Sequence, residues 1–253
     1  MSEVTKTDVP VEGLEVSAYT VPTDSPESDG TLEWGSTTMV LVEASGGGER
    51  GLGYTYGDVS VGRFVESKLQ GLLEGADAMR PPAAWAAMQR AIRNAGRPGV
   101  GAMAVSAVDI ALWDLKARLM DLPLADVLPR FHDAAPIYGS GGFTSYSLEG
   151  LREQLGGWAG EGIPRVKMKV GREPDADPAR IWAAREAIGS GVELMVDANG
   201  AYTRKQALYW AERFAEQYGI SYLEEPVTSE DREGMRLLRD HGPGGLAIAA
   251  GEY

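Results

Sequence analysis

The sequence predicts an α+β domain over residues 1–133, followed by part of a parallel (β/α) TIM-type barrel over residues 134–253. Three observations predict this order. In the first part of the chain, strand-like stretches around a glycine turn are followed by apolar residues at helical spacing. After Pro136, short apolar strands alternate with amphipathic helices, which is typical of parallel βα units. In that second part, charged residues recur near strand ends at the spacing of one βα unit.

Composition narrows the classes of protein. The net charge is -13 and Lys and Arg form no block, which argues against binding of nucleic acid. No apolar run approaches the roughly eighteen residues of a membrane span, and residues 1–10 are polar without a signal-peptide core. We therefore expect a cytoplasmic protein that binds a small molecule, with neither a nucleic acid nor a membrane as partner.

The residue types available limit the chemistry. The chain has no cysteine and two histidines, His132 and His241, which is little material for a thiolate site, a multi-histidine zinc site or a serine-histidine triad. The chemistry must then come from carboxylates, lysines, hydroxyls or a metal ion.

In the first domain, strands are predicted at residues 14–20, 37–43 and 51–56, and the glycines at 46–48 turn the last two into a hairpin. The polar residues 23–30 suggest a mobile surface loop. Apolar residues at helical spacing predict a helix that includes residues 104–116.

In the second domain, five strands are predicted at residues 137–140, 166–170, 193–197, 221–225 and 247–252. The helices between them have clear end signals. Asp177 is expected to cap a helix whose first residue is Pro178. Thr203 and Gln206 form a capping box for a helix that Gly219 ends.

Four charged residues lie near the ends of consecutive predicted strands: Lys169, Asp197, Glu224 and Glu252, at spacings of 28, 27 and 28 residues. One βα unit of a barrel takes about thirty residues, so this period places them at one height, on the face where barrel enzymes carry their active sites. Strand alternation points Lys167 and Lys169 into the barrel, where buried ammonium groups require anions.

Three carboxylates from neighbouring strands make a hard oxygen site, which favours Mg²⁺. Such an ion would hold a substrate carboxylate and neutralise the charge that develops when the neighbouring carbon loses its proton. Lys169 would be the base, and the charges of Lys167 and the metal would favour its neutral amine.

Each motif also has an ordinary structural interpretation. A Lys-X-Lys pair is usually a solvated strand face, Asp-Ala-Asn-Gly a turn, and Glu-Glu-Pro the end of a strand. These interpretations do not explain why all four groups share one period and lie at strand ends.

The stretches VKMKVG (166–171), VDANG (196–200), YLEEP (222–226) and GEY (251–253) resemble motifs of the mandelate racemase and muconate lactonizing enzymes of the enolase superfamily. The helix around residues 106–114 is also similar. The resemblance implies a modified (β/α)7β barrel, here truncated after about five strands, with an α+β domain that caps its mouth.

The resemblance also implies roles. The Mg²⁺ ligands would be Asp197, Glu224 and Glu252, with Lys169 as the acid/base and Lys167 assisting at the substrate carboxylate. Contacts to substrate are expected from these residues: Asn199, Ser140, Tyr54, Tyr56, Thr23 and Asp24. The last four belong to the two segments, residues 23–34 and 54–57, that match the specificity loops of the family.

The sequence ends at Tyr253, whereas the family's barrel continues through three more strands that carry a second base. We therefore expect a fragment, or a chain that folds with a partner, and a homo-oligomer in the full-length form. The activity we expect first is dehydration of a sugar acid. A racemase, epimerase or cycloisomerase shares the same first step. A non-catalytic subunit that binds carboxylate or Mg²⁺ is the alternative of another class.

Overall fold

The computed structural model describes residues 8–252, so the start of the polar N-terminus and Tyr253 of the last motif lie outside the described residues. The chain separates into two compact units. The first comprises the chain up to Pro22 together with Ser36–Asp133, and the second comprises Thr23–Gly35 together with the chain from Ala134 onward. Each unit has its own apolar core.

The first unit contains most of a three-stranded sheet in the order β1 (Gly13–Ser28), β2 (Glu33–Gly46) and β3 (Glu49–Tyr56). Strands β2 and β3 pair antiparallel, and the turn between them places Gly47 and Gly48 at φ of 60° and 82°. Glycine adopts this left-handed conformation at little cost. The predicted glycine hairpin is therefore confirmed.

Helices follow the sheet: α1 (Ser60–Phe64), a π-helical turn (Val65–Leu69), α2 (Gln70–Leu73), α3 (Pro81–Ala91), α4 (Val100–Leu119) and α5 (Leu124–Val127). The longest, α4, is the helix predicted around residues 104–116. Its apolar side, with Ala107 and Leu115, forms one core with Val40 and Val42 of β2. The α+β class of this unit follows from that packing of helices on a sheet.

The second unit is built on a parallel sheet of five strands in sequence order: β4 (Gly139–Gly141), β5 (Arg165–Lys169), β6 (Glu193–Asp197), β7 (Tyr222–Glu224) and β8 (Ala247–Ala249). The helices that alternate with them are α6 (Leu148–Gly160), α7 (Asp177–Ile188), α8 (Arg204–Tyr218) and α9 (Arg232–His241). This is the architecture predicted for a truncated barrel. The last two strands are shorter than predicted, because the backbone leaves the ladder after Glu224 and after Ala249.

The core of the second unit lies between these strands and helices. Val166, Met168 and Val170 are fully buried in one cluster with Phe214 of α8. The capping box of Thr203 and Gln206 is present, and Gly219 ends α8 in the left-handed conformation. The prediction for Asp177 was wrong: it is the first helical residue, and its carboxylate accepts the N–H of Gly171 instead of capping α7.

The prediction of a mobile loop at residues 23–30 was also wrong. Strand β1 continues to Ser28, and both Ser28 and Asp29 are buried. The Asp29 carboxylate accepts the N–H groups of Thr31 and Leu32, each at 2.7 Å, and so closes the turn into β2. Polar composition suggested a loop, but the polar groups are used within the turn.

This turn packs within the second unit, although the sequence prediction placed it in the first domain. The Ser28 hydroxyl bonds to that of Thr144 at 2.6 Å, and the Thr31 hydroxyl donates to the backbone oxygen of Asn199 at 3.2 Å. Arg172 donates to the Glu33 carboxylate.

Among residues 8–252, no helix is both long and apolar enough to cross a membrane.

Candidate metal centre

Strand β5 carries two buried lysines. Lys167 is 4% exposed and Lys169 is 8% exposed. Because the apolar residues that alternate with them fill the core against the helices, both lysines lie on the opposite face of the sheet. Parallel pairing places Lys169 beside Asp197 of β6 and Lys167 beside Ser140 of β4.

Three carboxylates converge near these lysines. Asp197 ends β6 and Glu224 ends β7, and the two residues are paired in register. Glu252 lies three residues beyond the end of β8. One oxygen from each of the three lies within 4.8 Å of the others. Their side-chain exposure rises from 0% for Asp197 to 14% for Glu224 and 44% for Glu252.

The two ammonium groups contact these carboxylates in different ways. The Lys169 Nζ donates to Asp197 Oδ2 at 2.6 Å and lies 3.9 Å from Glu252 Oε2. The Lys167 Nζ donates to Glu224 and lies 3.3 Å from Asp197 Oδ2. Two lysines and three carboxyl side chains thus lie within one small, mostly buried space, in which charges attract more strongly than in water.

Two of these groups have shifted pKa values. Burial opposes the charged form of Lys167, but the hydrogen bond to Glu224 and the attraction of Asp197 outweigh it, so its pKa is raised. Burial raises the pKa of the Glu252 carboxyl, and the nearby Lys169 counteracts part of this effect. Lys167 therefore keeps its proton at neutral pH and serves as a fixed positive charge.

Asn199 joins two of the carboxylates. Its backbone N–H donates to Asp197 Oδ1 at 3.0 Å, and its side-chain amide donates to Glu252 Oε2 at 3.2 Å. Its φ is 46°, a left-handed conformation that asparagine tolerates better than most residues. Its predicted contact with substrate stays a prediction.

The other predicted substrate residues lie in different places. Ser140 is on β4, next to Lys167 in register. Thr23 and Asp24 are on the part of β1 that groups with the second unit, and among the described residues no hydrogen bond links them to the three carboxylates. Tyr54 and Tyr56 are exposed on β3 in the first unit, with their rings 5.9 Å apart. Their roles stay predictions.

Sequence reasoning missed a buried arginine that supports the site. The Arg180 guanidinium on α7 donates to the backbone oxygens of Gly142 and Phe143, in the loop after β4, and to that of Lys169. It therefore ties that loop to the end of β5. The available signal was a pair of charged residues, Asp177 and Arg180, one turn apart among the apolar residues of a helix.

The three carboxylates fit a magnesium ion. Each Mg–O bond is about 2.1 Å, so two ligand oxygens on one ion lie at most about 4.2 Å apart. The observed limit of 4.8 Å is slightly longer than that value, and small rotations of the side chains would close the difference. Hard oxygen ligands of this type favour Mg²⁺ over softer metals.

A parallel βα sheet with three converging carboxylates at or beyond the ends of successive strands, and with two lysines on the preceding strand, is the arrangement of barrel proteins of the enolase type. The model for the N-terminal domain of mandelate racemase / muconate lactonizing enzymes matches residues 16–129, and the enolase C-terminal domain-like model matches residues 150–253. The chain belongs to the enolase superfamily, in the mandelate racemase and muconate lactonizing enzyme family.

Its relatives include cycloisomerases and dehydratases. The 3,6-anhydro-alpha-L-galactonate cycloisomerase of Streptomyces coelicolor is 34% identical, over 96% of this chain and 68% of its own length. The L-talarate/galactarate dehydratase of Salmonella typhimurium is 30% identical, over 90% of this chain and 60% of its own length. These relatives are enzymes of the isomerase and lyase types.

Solved structures of family members are similar to this chain in fold. A mandelate racemase/muconate lactonizing enzyme-like protein from Rubrobacter xylanophilus has a TM-score of 0.95 and 81% identity, covering 96% of this chain and 68% of that chain. The Salmonella dehydratase liganded with Mg and L-lyxarohydroxamate has a TM-score of 0.87 and 29% identity, covering 100% of this chain and 67% of that chain. The chain thus spans about 60 to 68% of the length of these relatives.

Proposed function

We propose that the protein abstracts the proton next to the carboxylate of a sugar acid, with Mg²⁺ bound by Asp197, Glu224 and Glu252, and that the reaction is a dehydration. The observation that carries the proposal is the convergence of three carboxylate oxygens beside two buried lysines at the ends of parallel strands. The Salmonella relative is named as a dehydratase of sugar acids and was solved with Mg, which supports the substrate class and the metal.

In this proposal Lys169 is the proton acceptor. Its Nζ lies at the end of β5 and donates to Asp197 Oδ2 at 2.6 Å. This hydrogen bond fixes the position of the amine beside the proposed metal ligands. To accept the substrate proton the side chain must be in its neutral amine form, so the ammonium must first give one proton to solvent, which leaves the lone pair that takes the proton from the substrate. Burial of the side chain keeps water from competing for the amine.

Lys167 supplies a permanent positive charge. A lysine is ordinarily protonated at neutral pH, and the hydrogen bond to Glu224 fixes the direction of this ammonium. A charge held in place before substrate arrives stabilises negative charge on a substrate carboxylate without further reorganisation. The Mg²⁺ ion, when bound, supplies further positive charge for the same carboxylate.

Cycloisomerisation of a sugar acid is the second candidate. The observation that favours it is the 34% identity to the Streptomyces cycloisomerase over 96% of this chain. Both reactions begin with the same proton abstraction, so the residues named above would act in the same way. They differ in whether water leaves the substrate.

Incubation of the full chain with Mg²⁺ and a panel of aldonic and aldaric acids in deuterated solvent tests the proposal. Mass spectrometry then reports both α-deuterium incorporation and loss of water. Loss of water supports dehydration, and rearrangement or exchange without it supports the second candidate. If no acid in the panel exchanges its α-hydrogen although Mg²⁺ binds, both with this chain alone and after addition of a polypeptide that supplies the remaining barrel strands, the catalytic proposal is wrong and a non-catalytic binding role takes its place.

The variant Lys169→Ala should lower the rate of exchange by about 10² to 10⁴-fold, the usual contribution of a general base. Lys205→Ala, which removes an exposed lysine from α8, is the matched control and should leave the rate unchanged. Equal rates for the two variants would exclude Lys169 as the base.

A further inference from the structure

Glu225 follows the proposed ligand Glu224 and is fully buried, with 0% of its surface exposed. Its φ is 42°, in the left-handed region that favours glycine and costs other residues about 1 to 2 kcal/mol. A buried carboxylate on a strained backbone persists when the surrounding structure holds it in place.

One carboxylate oxygen of Glu225 accepts two consecutive backbone N–H groups. Oε1 lies 2.7 Å from the N–H nitrogen of Gly251 and 3.3 Å from that of Glu252. Burial away from water strengthens such hydrogen bonds. The side chain of Glu225 thus holds the backbone that carries the proposed third ligand.

The backbone of Glu225 joins two other strand ends. Its N–H donates to the oxygen of Ala249, the last residue of β8, at 2.9 Å, and its oxygen accepts the N–H of Gly200 at 2.7 Å. Gly200 follows Asp197 by three residues. Glu225 therefore connects the chain segments that carry all three acids.

Glu252 is the ligand that most needs such support. Asp197 and Glu224 end regular strands and are fixed by ladder pairing, whereas Glu252 lies beyond β8 in irregular backbone, with 44% of its side chain exposed. Among the described residues, the N–H groups of Gly251 and Glu252 both donate to Glu225 Oε1.

We infer that Glu225 is a positioning residue that places Glu252 for cation binding. It does not bind the ion itself. This inference rests on the proposed metal site. Outer groups that orient the ligands of a metal typically contribute 10- to 100-fold to affinity, on the order of 1.4 to 2.8 kcal/mol. The loss on removing Glu225 should be of that size.

Titration of the full chain with Mn²⁺, followed by the electron paramagnetic resonance signal of the free ion, tests the inference without any substrate. Glu225→Ala should raise the Kd for Mn²⁺ by about 10- to 100-fold. Glu225→Gln keeps an oxygen acceptor for both N–H groups and should lose distinctly less. Glu216→Gln, an exposed change on α8, is the control and should bind as the unaltered protein does.

A double variant separates positioning from general stability. If Glu225 acts through Glu252, then Glu225→Ala should add little, about twofold or less, once Glu252→Ala is present. A full additional loss in the double variant, or unchanged Mn²⁺ affinity in Glu225→Ala, overturns the inference. Loss of the proposed site itself gives a different result: the unaltered protein and Glu252→Ala would then bind Mn²⁺ equally.

Discussion

Asp177 should make the stability of the protein depend on pH in an unusual direction. It is the first residue of α7 and is 1% exposed. Burial raises the pKa of its carboxyl from 3.8 to about 6, although the hydrogen bond from Gly171 and the attraction of Arg180 oppose this. The folded protein therefore binds this proton more tightly than the unfolded chain does.

The direction of the pH dependence of the unfolding free energy follows from that difference in pKa. Because the pKa is higher in the folded state, the contribution of Asp177 is fully present below the unfolded value and is lost as pH rises through about 6. The full difference corresponds to about 3 kcal/mol. Between about pH 4.5 and about pH 7.5, the unfolding free energy should fall by about 2 kcal/mol from this group alone.

Urea unfolding of the unaltered protein and of Asp177→Asn at those two pH values isolates the effect. The other carboxylates are present in both proteins, so their pH dependence cancels in the comparison. The neutral asparagine keeps an oxygen acceptor for the N–H of Gly171, and should remove the fall of about 2 kcal/mol. Asp175→Asn, a change at an exposed acid two residues earlier, should leave it in place. Equal pH dependence in the unaltered protein and Asp177→Asn would refute the reasoning.

Two further predictions concern the supports of the second unit. A Cβ at Gly30 would lie 2.1 Å from the backbone oxygen of Ala198. Gly30→Ala should therefore destabilise the protein by about 1 to 3 kcal/mol and speed proteolysis near the turn. A Cβ at Gly35 would meet no atom within 4 Å, so the control Gly35→Ala should do neither. Thr203→Ala removes the capping box of α8 and should lower the unfolding free energy by about 1 kcal/mol in the same urea assay. An unchanged unfolding free energy would show that the cap does not stabilise the protein.

The period of the strands made much of the candidate site predictable. Strand alternation put Lys167 and Lys169 on one face, and the repeat of about 28 residues brought Asp197 and Glu224 to neighbouring strand ends. Local pattern was misleading where polar residues serve tertiary contacts. The segment at residues 23–30 resembles a loop in composition, yet Ser28 and Asp29 at its end are buried. The Ser28 hydroxyl bonds to Thr144, and the Asp29 carboxylate accepts the N–H of Thr31.

Spacing along the chain predicted the fold class and the placement of the three acids near strand ends, because side-chain alternation and the length of a βα unit are local properties. The family was inferred from the resemblance of short motifs, which are also local in the sequence. Only the tertiary structure decided which ammonium group meets which carboxylate, that Glu225 turns inward to hold Glu252, and that Asp177 is buried. These features arise from the packing of residues distant in the chain and from a left-handed backbone that no local spacing encodes.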